Sequence, residues 1–222
     1  MSKKYLDEVR NCYNLAANEY SRTYINELDQ KPFDRNIIDR FSDLLDSQSL
    51  IFDFGCGSGQ TTNYIHKKHK HKVLGLDFSE NSVNLARQTL PEIQFEIDDM
   101  LNSKMGTTTA NGIIAFYAIV HFDYEDIKRV MQEWYRLLKD NGYCLFSFHI
   151  GEEFVEVQDF LDIKGANATW HLLDTDKVLG IAEEAGFKIM ETIIRYPYKG
   201  VEHESKRAYI MLKKEDSMLK SL

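Results

Sequence analysis

Three glycines at alternating positions, Gly55, Gly57 and Gly59, directly follow the apolar run at 50–54. Because glycine has no Cβ, a chain with this spacing turns sharply and its backbone approaches a ligand closely. A loop at the carboxyl end of a first strand also lies where open α/β sheets bind ligands. The spacing indicates a ligand-binding loop, but a tight strand-to-helix turn that binds nothing fits the same glycines.

Carboxylates follow the next two predicted strands. Asp77 ends an apolar strand and stands 22 residues after Gly55, where an acidic group accepts hydrogen bonds from both hydroxyls of a ribose. Asp98 and Asp99 follow the third strand, where a carboxylate can accept from an adenine amino group. A solvated strand end explains each aspartate alone. Three loops in this order indicate an adenosine-containing ligand.

Alternating helical and strand patterns predict the scaffold that positions these loops. Five strands are predicted at 50–54, 73–78, 93–97, 112–120 and 143–149, with helices between them. Two final strands, at 187–195 and 206–213, have no helix between them and must pair antiparallel. The expected fold is α/β and Rossmann-like. Its seven-stranded sheet has five parallel strands, a C-terminal antiparallel hairpin and helices on both faces.

Across about residues 13–213, the sequence resembles the class I S-adenosylmethionine-dependent methyltransferase superfamily. The stretch 51–59 is similar to the family's first motif, which cradles the methionine part of S-adenosylmethionine. Asp77 stands at the ribose position, and Asp99-Met100 at the adenine position. The stretch 115–121 resembles the fourth-strand motif, whose end lines the reaction centre. The two ends of the chain resemble the family's small-molecule branch.

This resemblance implies methyl transfer from S-adenosylmethionine to a small-molecule acceptor that the sequence does not identify. The residues expected to bind the cofactor are Tyr13, Tyr20, Asp53, Gly55, Cys56, Gly57, Gly59, Asp77, Phe78, Asp99, Met100, Phe116 and Tyr117. His121 follows the fourth strand and is the first candidate for a catalytic base, because imidazole titrates near neutral pH. A cofactor-adjacent histidine without a catalytic role fits its position equally well. His149 is a weaker candidate.

Two segments are expected to complete the site within a single methyltransferase domain spanning 1–222. Residues 1–32 form an N-terminal helical cap whose tyrosines close over the cofactor, although their near-helical spacing also fits ordinary packing. Residues 150–172 show no clear period and are interpreted as an insertion that contributes to the acceptor site. Loops on a rigid scaffold often carry such specificity.

Two other functions are weighed. A nicotinamide-dependent oxidoreductase of the Rossmann type needs glycine at position 60, where this chain has Gln60. A catalytically silent protein that binds S-adenosylmethionine and acts through a partner stays open. Asn/Asp-Pro-Pro-aromatic and Pro-Cys motifs are absent, which excludes the amide, adenine and cytosine-C5 methyltransferases that use them.

Composition narrows the partners and the compartment. A net charge of −8 weighs against a nucleic-acid substrate, because phosphate binding requires a dense basic face. The chain has no apolar run near the roughly 20 residues of a transmembrane helix and no apolar signal segment at its N-terminus. Three widely spaced cysteines indicate neither a disulfide framework nor a zinc site. The expectation is a cytoplasmic protein without a metal, of open oligomeric state.

Overall fold

The computed structural model describes residues 3–216 of the chain, with side chains from Tyr5 onward. The α-helices are α1 (Lys3–Tyr24), α2 (Pro32–Asp43), α3 (Gln60–His69), α4 (Glu80–Thr89), α5 (Tyr124–Leu137) and α6 (Thr175–Glu184). Short 3₁₀ helices span Glu27–Gln30, Ile119–His121 and Phe160–Asp162. The strands are β1 (Leu50–Phe54), β2 (Lys72–Asp77), β3 (Gln94–Ile97), β4 (Ala110–Phe116), β5 (Leu138–His149), β6 (Phe154–Val157), β7 (Ala168–His171), β8 (Phe187–Arg195) and β9 (Arg207–Lys214).

Seven strands form one sheet in the order β3-β2-β1-β4-β5-β9-β8. β1 to β5 pair in parallel, whereas β9 pairs antiparallel with both β5 and β8. The predicted Rossmann-like sheet with five parallel strands and a C-terminal hairpin is therefore confirmed. The order reverses between β1 and β4, and ligands of open α/β sheets bind at such a switch point.

Helices cover both faces of this sheet. On one face, α5 and α6 pack on β1, β2, β4 and β5, and the fully buried Trp134 lies at the centre. On the other face, Ile37, Ile38 and Phe41 of α2 pack with Ile65 of α3 against the outer side of the same strands. Both faces are buried, which explains why the central strands read as nearly continuous apolar runs.

Side-chain caps fix where three of the helices begin. Ser79 is the N-cap of α4, and its Oγ accepts a hydrogen bond from the N–H of Ser82 at 3.2 Å. Asp123 caps α5 in the same way, with a distance of 2.9 Å to the N–H of Asp126. Asp174 caps α6. Because α4 follows β2 directly, its cap also fixes the short loop at the carboxyl end of that strand.

The predicted fourth strand at 112–120 is too long. β4 ends at Phe116, and Tyr117 adopts a positive φ of 55° before the chain enters the 3₁₀ helix Ile119–His121. Ile119 and Val120 are buried in that short helix. Their apolar side chains indicate that these residues are buried, and apolar residues are buried in a 3₁₀ turn as well as in a strand.

The segment 150–172, predicted without regular structure, contains a small antiparallel pair. β6 pairs with β7, and Phe154 lies opposite His171. The 3₁₀ helix Phe160–Asp162 lies between the two strands and contacts α1. The segment therefore reaches the N-terminal helix. Within residues 3–216, no helix is long and apolar enough to cross a membrane.

Candidate functional site

A cavity of about 230 Å³ opens at the carboxyl ends of the central strands. The glycine loop after β1, the ends of β2 and β4 and the loop after β3 form its floor, and α1 forms one wall. The segment between β5 and α6 and the loop between β8 and β9 complete the lining. The cavity therefore lies at the switch point of the sheet, where the sequence places its ligand.

The glycine loop passes closely beneath α1. Gly57 has a φ of +54°, and a Cβ built on it would lie 3.1 Å from Cε1 of Tyr20. Positive φ is strained for residues with a Cβ, and the ring leaves little room for one. The backbone at Gly57 is therefore bare toward the cavity. Cys56, next to it, is buried and also lines the cavity.

Two buried carboxylates lie against this loop. Asp77 Oδ2 accepts the N–H of Gly57 at 2.9 Å, and Oδ1 accepts the N–H of Ser79 at 2.8 Å. Burial raises the pKa of Asp77, opposed by these backbone hydrogen bonds. Asp53 accepts a hydrogen bond from Oγ1 of Thr62 at 2.5 Å, and burial raises the pKa of Asp53 to about 7. The cavity floor is therefore a hydrogen-bond acceptor surface.

The two aspartates after β3 differ in what they bind. Asp98 is buried and is committed to its own loop, since Oδ1 accepts the N–H of Lys104 at 3.0 Å and Oδ2 accepts Ser103 Oγ. Asp99 is only half-buried, and Oδ1 accepts the N–H of Leu101 at 2.9 Å. No hydrogen bond within residues 3–216 engages its second oxygen. Asp99 and Met100 both line the cavity.

A tyrosine and a histidine from distant parts of the chain meet at the cavity. Tyr13 Oη in α1 lies 3.0 Å from Nε2 of His121, and the ring centroids are 5.3 Å apart. The other ring nitrogen, Nδ1, lies 3.3 Å from the carbonyl oxygen of Thr169 in β7. The pair therefore joins the N-terminal helix, the segment after β4 and the β6–β7 pair.

These contacts define the protonation state of His121. Burial lowers the pKa of His121 to about 4, so the ring is neutral at neutral pH. The carbonyl of Thr169 can only accept, so Nδ1 carries the proton and donates it there. Nε2 is then an acceptor, and Tyr13 donates its hydroxyl proton to it. Burial also raises the pKa of Tyr13, which keeps this hydroxyl protonated.

Aromatic rings cover the cavity above this pair. The ring of Tyr20 lies 5.9 Å from that of Tyr13 and 4.7 Å from that of Tyr24, and Phe160 packs against Tyr13 and Tyr20. Trp170 stands edge-on to Phe160 at 5.6 Å. The predicted N-terminal cap and the 150–172 segment therefore meet in one aromatic cluster over the cavity.

Tyr117, which directly follows β4, contacts residues of β5 and β9. Tyr117 stacks on the imidazole of His149 at 4.9 Å, and its hydroxyl lies 2.8 Å from that of Tyr209. Tyr209 donates in turn to Asp34 Oδ1 at 2.6 Å. Burial raises the pKa of the Tyr117 hydroxyl. The positive φ of Tyr117 is strained for a non-glycine residue, and such strain clusters at functional sites. Here this backbone conformation places the Tyr117 side chain in the network.

Most of the residues predicted from the sequence lie together. The cavity lining includes Tyr13, Tyr20, Asp53, Gly55, Cys56, Gly57, Asp77, Phe78, Asp99, Met100, Phe116, Tyr117 and His121. Gly59 is the exception and lies outside the lining, at the N-cap of α3. A Cβ there would lie 2.8 Å from Phe95 Cζ, so packing of helix against strand explains this glycine without a ligand.

Some residues that line the cavity are not predicted from the sequence. The guanidinium of Arg10 in α1 lies 5.6 Å from the ring centroid of Phe78, which follows β2. Lys31, Glu202 and Arg207 line the opposite end. Charged residues of this kind are usually solvated, and nothing in their spacing marks them as buried. Within residues 3–216, no cluster of three or more His, Cys, Asp or Glu side chains is suited to a metal ion.

Comparison with known proteins supports the predicted family. Residues 51–142, which contain the glycine loop, Asp77 and Asp99, match the model of a methyltransferase domain family. The phosphoethanolamine N-methyltransferase of Plasmodium falciparum is 29% identical over 112 residues, covering 49% of this chain and 42% of that protein. These matches support the class I S-adenosylmethionine-dependent methyltransferase superfamily that the sequence resembles. The chain spans about half the length of the curated relatives it matches.

Solved structures share the fold of this protein at low sequence identity. An S-adenosylmethionine-dependent methyltransferase from Methanosarcina mazei has a TM-score of 0.69 at 14% identity, covering 78% of this chain and 95% of that chain. A Haemonchus contortus phosphoethanolamine N-methyltransferase, in complex with phosphomonomethylethanolamine and S-adenosylhomocysteine, has a TM-score of 0.66 at 13% identity. The match covers 82% of this chain and 52% of that chain.

The residues of the cavity fit S-adenosylmethionine, which the family uses as its cofactor. The bare backbone at Gly57 makes room for a methionine part, and a Cβ there would fill this space. The carboxylates of Asp53 and Asp77 are acceptors suited to an ammonium group and ribose hydroxyls, respectively. The cofactor chemistry and the donor and acceptor set therefore agree.

Proposed function

We propose that this methyltransferase transfers the methyl group of S-adenosylmethionine to a small-molecule acceptor. The observation that carries the proposal is that one cavity brings together the glycine loop, Asp77 and the Tyr13–His121 pair. The first two are suited to hold a nucleoside cofactor. The third supplies a protonatable pair at the same cavity, which an acceptor that loses a proton requires.

The bound cofactor supplies an activated methyl group on a sulfonium, so the protein contributes mainly alignment and exclusion of water. Asp77 and the Gly57 backbone hold one end of the ligand on the β1–β2 side. Tyr13, Tyr20 and Phe160 cover the cavity and keep water out. Electron-rich ring faces near a cationic sulfonium also stabilise it.

The Tyr13–His121 pair provides a path for a proton. An acceptor N–H or O–H that reaches Tyr13 can pass its proton to the hydroxyl oxygen while Tyr13 donates its own proton to Nε2 of His121. The carbonyl of Thr169 stabilises the resulting imidazolium through Nδ1. His121 acts through Tyr13 in this scheme, and its lowered pKa of about 4 keeps Nε2 free to accept at neutral pH.

Several features support a small acceptor. Aromatic side chains from α1 and the 150–172 segment cover the cavity, and a polymer would have to displace them. The curated relatives include an N-methyltransferase and an O-methyltransferase, so they leave the accepting atom open. A single methyltransferase domain, the cytoplasmic location and the absence of a nucleic-acid partner stay predictions from the sequence.

The proposal is tested by S-adenosylhomocysteine release from purified protein and S-adenosylmethionine across a panel of small amines, phenols, carboxylic acids and phosphate esters. We expect release with at least one acceptor and its loss in Asp77→Ala. A protein that binds S-adenosylmethionine but releases no product with any acceptor, while a partner protein changes its affinity, would support the catalytically silent alternative.

A further inference from the structure

Arg207 is a buried guanidinium in the cavity wall that lacks part of its hydrogen bonds. Its side chain is 1% exposed. Nη1 and Nη2 donate to the backbone carbonyls of Ser205 and His203 at 3.2 and 3.1 Å, and Nε has no partner among the described residues. Burying a charge is costly unless an opposite charge and hydrogen bonds compensate it. Glu202 supplies an opposite charge, but Nε of Arg207 is left without a hydrogen bond.

The nearest carboxylate, Glu202, is committed to another residue. Arg195 donates to both Glu202 oxygens at 2.7 Å, and the N–H of Tyr198 donates to Oε2 at 2.7 Å. Arg207 Nη1 lies 3.2 Å from the same Oε2 and has no aligned hydrogen bond to it. Glu202 therefore hydrogen-bonds to Arg195, and its contact with Arg207 is an ion pair without an aligned hydrogen bond.

The other carboxylates at this end of the cavity are also engaged. Asp34 accepts from Arg195 at 2.8 Å and from Tyr209 at 2.6 Å. Glu27 accepts from Lys31 and, at 3.0 Å, from Gln60. Because these carboxylates already have cationic or hydrogen-bond partners in the protein, they do not favour a cationic ligand here. Among the described residues that line the cavity, the buried side-chain atom without a hydrogen-bond partner is Nε of Arg207.

The pKa of His149 is affected by the cations of this wall. Burial, followed by the nearby Arg207, His203 and Lys31, lowers the pKa of His149 to about 3, and the carboxylate of Glu202 opposes this change. Nδ1 of His149 lies 2.8 Å from Ser205 Oγ, and no residue between 3 and 216 hydrogen-bonds to Nε2. His149, Lys31 and Arg207 all line the cavity.

Two cations border one aromatic ring at this wall. Lys31 Nζ and Arg207 Cζ lie 5.5 and 5.9 Å from the centroid of Tyr117, on which His149 stacks. His149 ends β5, whereas Asp77 ends β2, three strands away in the sheet. At about 4.8 Å per strand, roughly 14 Å separates the two positions. This wall is therefore distinct from the part of the cavity suited to ribose.

From this arrangement we infer that the methyl acceptor carries an anionic oxyacid group, a carboxylate or a phosphate, which Arg207 binds beside His149 and Lys31. The inference rests on the proposed function. A guanidinium pairs with either group through two parallel N–H···O bonds, and the free Nε of Arg207 supplies one donor. Such an anion would accept a hydrogen bond from Nε of Arg207 and anchor the acceptor at the end of the cavity opposite the ribose side.

The test uses the full chain saturated with S-adenosylhomocysteine. Sodium phosphate, sodium acetate and tetramethylammonium chloride are titrated at constant ionic strength, and the imidazole resonances of His149, assigned with His149→Gln, report binding at this wall. We expect saturable shifts with at least one anion and none with tetramethylammonium. Tighter binding of phosphate indicates a phosphate ester, and equal or tighter binding of acetate indicates a carboxylate.

Matched variants locate the anion. Arg207→Gln should weaken anion binding about tenfold or more, equivalent to about 1.4 kcal/mol, and Arg40→Gln, at a surface pair with Glu191, should leave it unchanged. If Arg207→Gln does not fold, Lys31→Gln against the surface control Lys68→Gln provides the same comparison. Here we expect a loss of about threefold, since one charge at a distance is removed.

Several results would overturn the inference. One is the absence of shifts with either anion at about 50 mM, a concentration above the millimolar Kd expected of a small ion. The others are shifts with tetramethylammonium instead of the anions, and equal anion binding in the wild type and the variants. S-adenosylhomocysteine affinity is measured separately in every variant. Failure of the wild type to bind S-adenosylhomocysteine contradicts the proposed function, and anion titration of the protein alone still tests the Arg207 site.

Discussion

Tyr13 Oη lies 3.0 Å from Nε2 of His121, although the two residues are 108 positions apart in the chain. Tyr13 belongs to α1, and His121 ends the 3₁₀ helix that follows β4. The same contact therefore holds the N-terminal helix over the cavity and positions the candidate base. A change in either residue affects both, and the predictions below separate the two effects.

Removal of the Tyr13 hydroxyl should impair turnover more than cofactor binding. In Tyr13→Phe the ring still covers the cavity, but the proton path to His121 is broken, so kcat should fall by about 10²-fold or more with an acceptor that loses a proton. The affinity for S-adenosylmethionine, measured by isothermal titration, should change by less than about threefold, since the lost hydrogen bond is neutral.

His121→Ala should likewise keep near-normal cofactor binding while kcat falls. Tyr64→Phe, a tyrosine of α3 outside the cavity, is the matched control and should change neither quantity. A Tyr13→Phe variant with normal kcat but weakened cofactor binding would show that the pair only holds α1 closed.

Asp77→Ala should weaken S-adenosylmethionine binding at least about tenfold with the fold intact, because hydrogen bonds to a charged group contribute about 1.5–3 kcal/mol. The carboxylate also accepts the N–H groups of Gly57 and Ser79, so its loss loosens the glycine loop. Asp46→Ala, at an exposed position away from the cavity, is the control. Unchanged affinity in a folded Asp77→Ala protein would contradict the ribose assignment.

Gly57→Val should abolish cofactor binding. Its φ of +54° is unfavourable for valine, and the new Cβ would meet the ring of Tyr20 at 3.1 Å. Gly180→Val, in α6 with no atom within 4 Å of an added Cβ, is the matched control and should bind normally. Circular dichroism establishes that both variants fold. Retained affinity in folded Gly57→Val would mean that the ligand does not lie along this loop.

Burial of His121 should make stability depend on pH. Its pKa is about 4 in the folded protein and about 6.5 when unfolded. Below pH 6.5 the unfolded chain binds a proton that the folded protein does not, so stability is lost as the pH falls. At pH 5 this effect amounts to about 2 kcal/mol.

The amide of His121→Gln does not titrate, so the comparison isolates this group. Urea unfolding at pH 7 and pH 5 should show that the wild type loses about 2 kcal/mol more than His121→Gln over this interval. The raised pKa of Asp53 acts with the opposite sign, since its stabilisation is lost as the pH rises toward about 7. This contribution is common to both proteins and cancels in the difference. Equal losses would contradict a buried, neutral His121.

The sequence predicts the sheet and the cofactor side of the cavity because these depend on local patterns. Glycine spacing determines the loop, and an aspartate at a strand end is placed by the strand before it. The terminal hairpin follows from the missing helix between β8 and β9. The fourth strand was extended too far because Ile119 and Val120 are buried in a 3₁₀ helix, and hydrophobicity does not separate the two conformations.

The acceptor side of the cavity escapes prediction because it depends on contacts between distant segments. Arg207 is buried only because β9 pairs with β5 and the loop before it folds back. Lys31 reaches the same wall from the end of the N-terminal cap. No local pattern reveals that two surface-type residues share a cavity. The same holds for Tyr13 and His121, each proposed separately from the sequence, whose contact only the folded chain shows.

Isothermal titration of the wild-type protein with S-adenosylmethionine, S-adenosylhomocysteine and NAD tests the central claim most directly. The cavity should bind one molecule of S-adenosylmethionine or S-adenosylhomocysteine, each displacing the other, with a Kd of about 100 μM or tighter, and should not bind NAD. Binding of NAD in preference to S-adenosylmethionine, or no binding of S-adenosylmethionine by folded protein, would contradict the account.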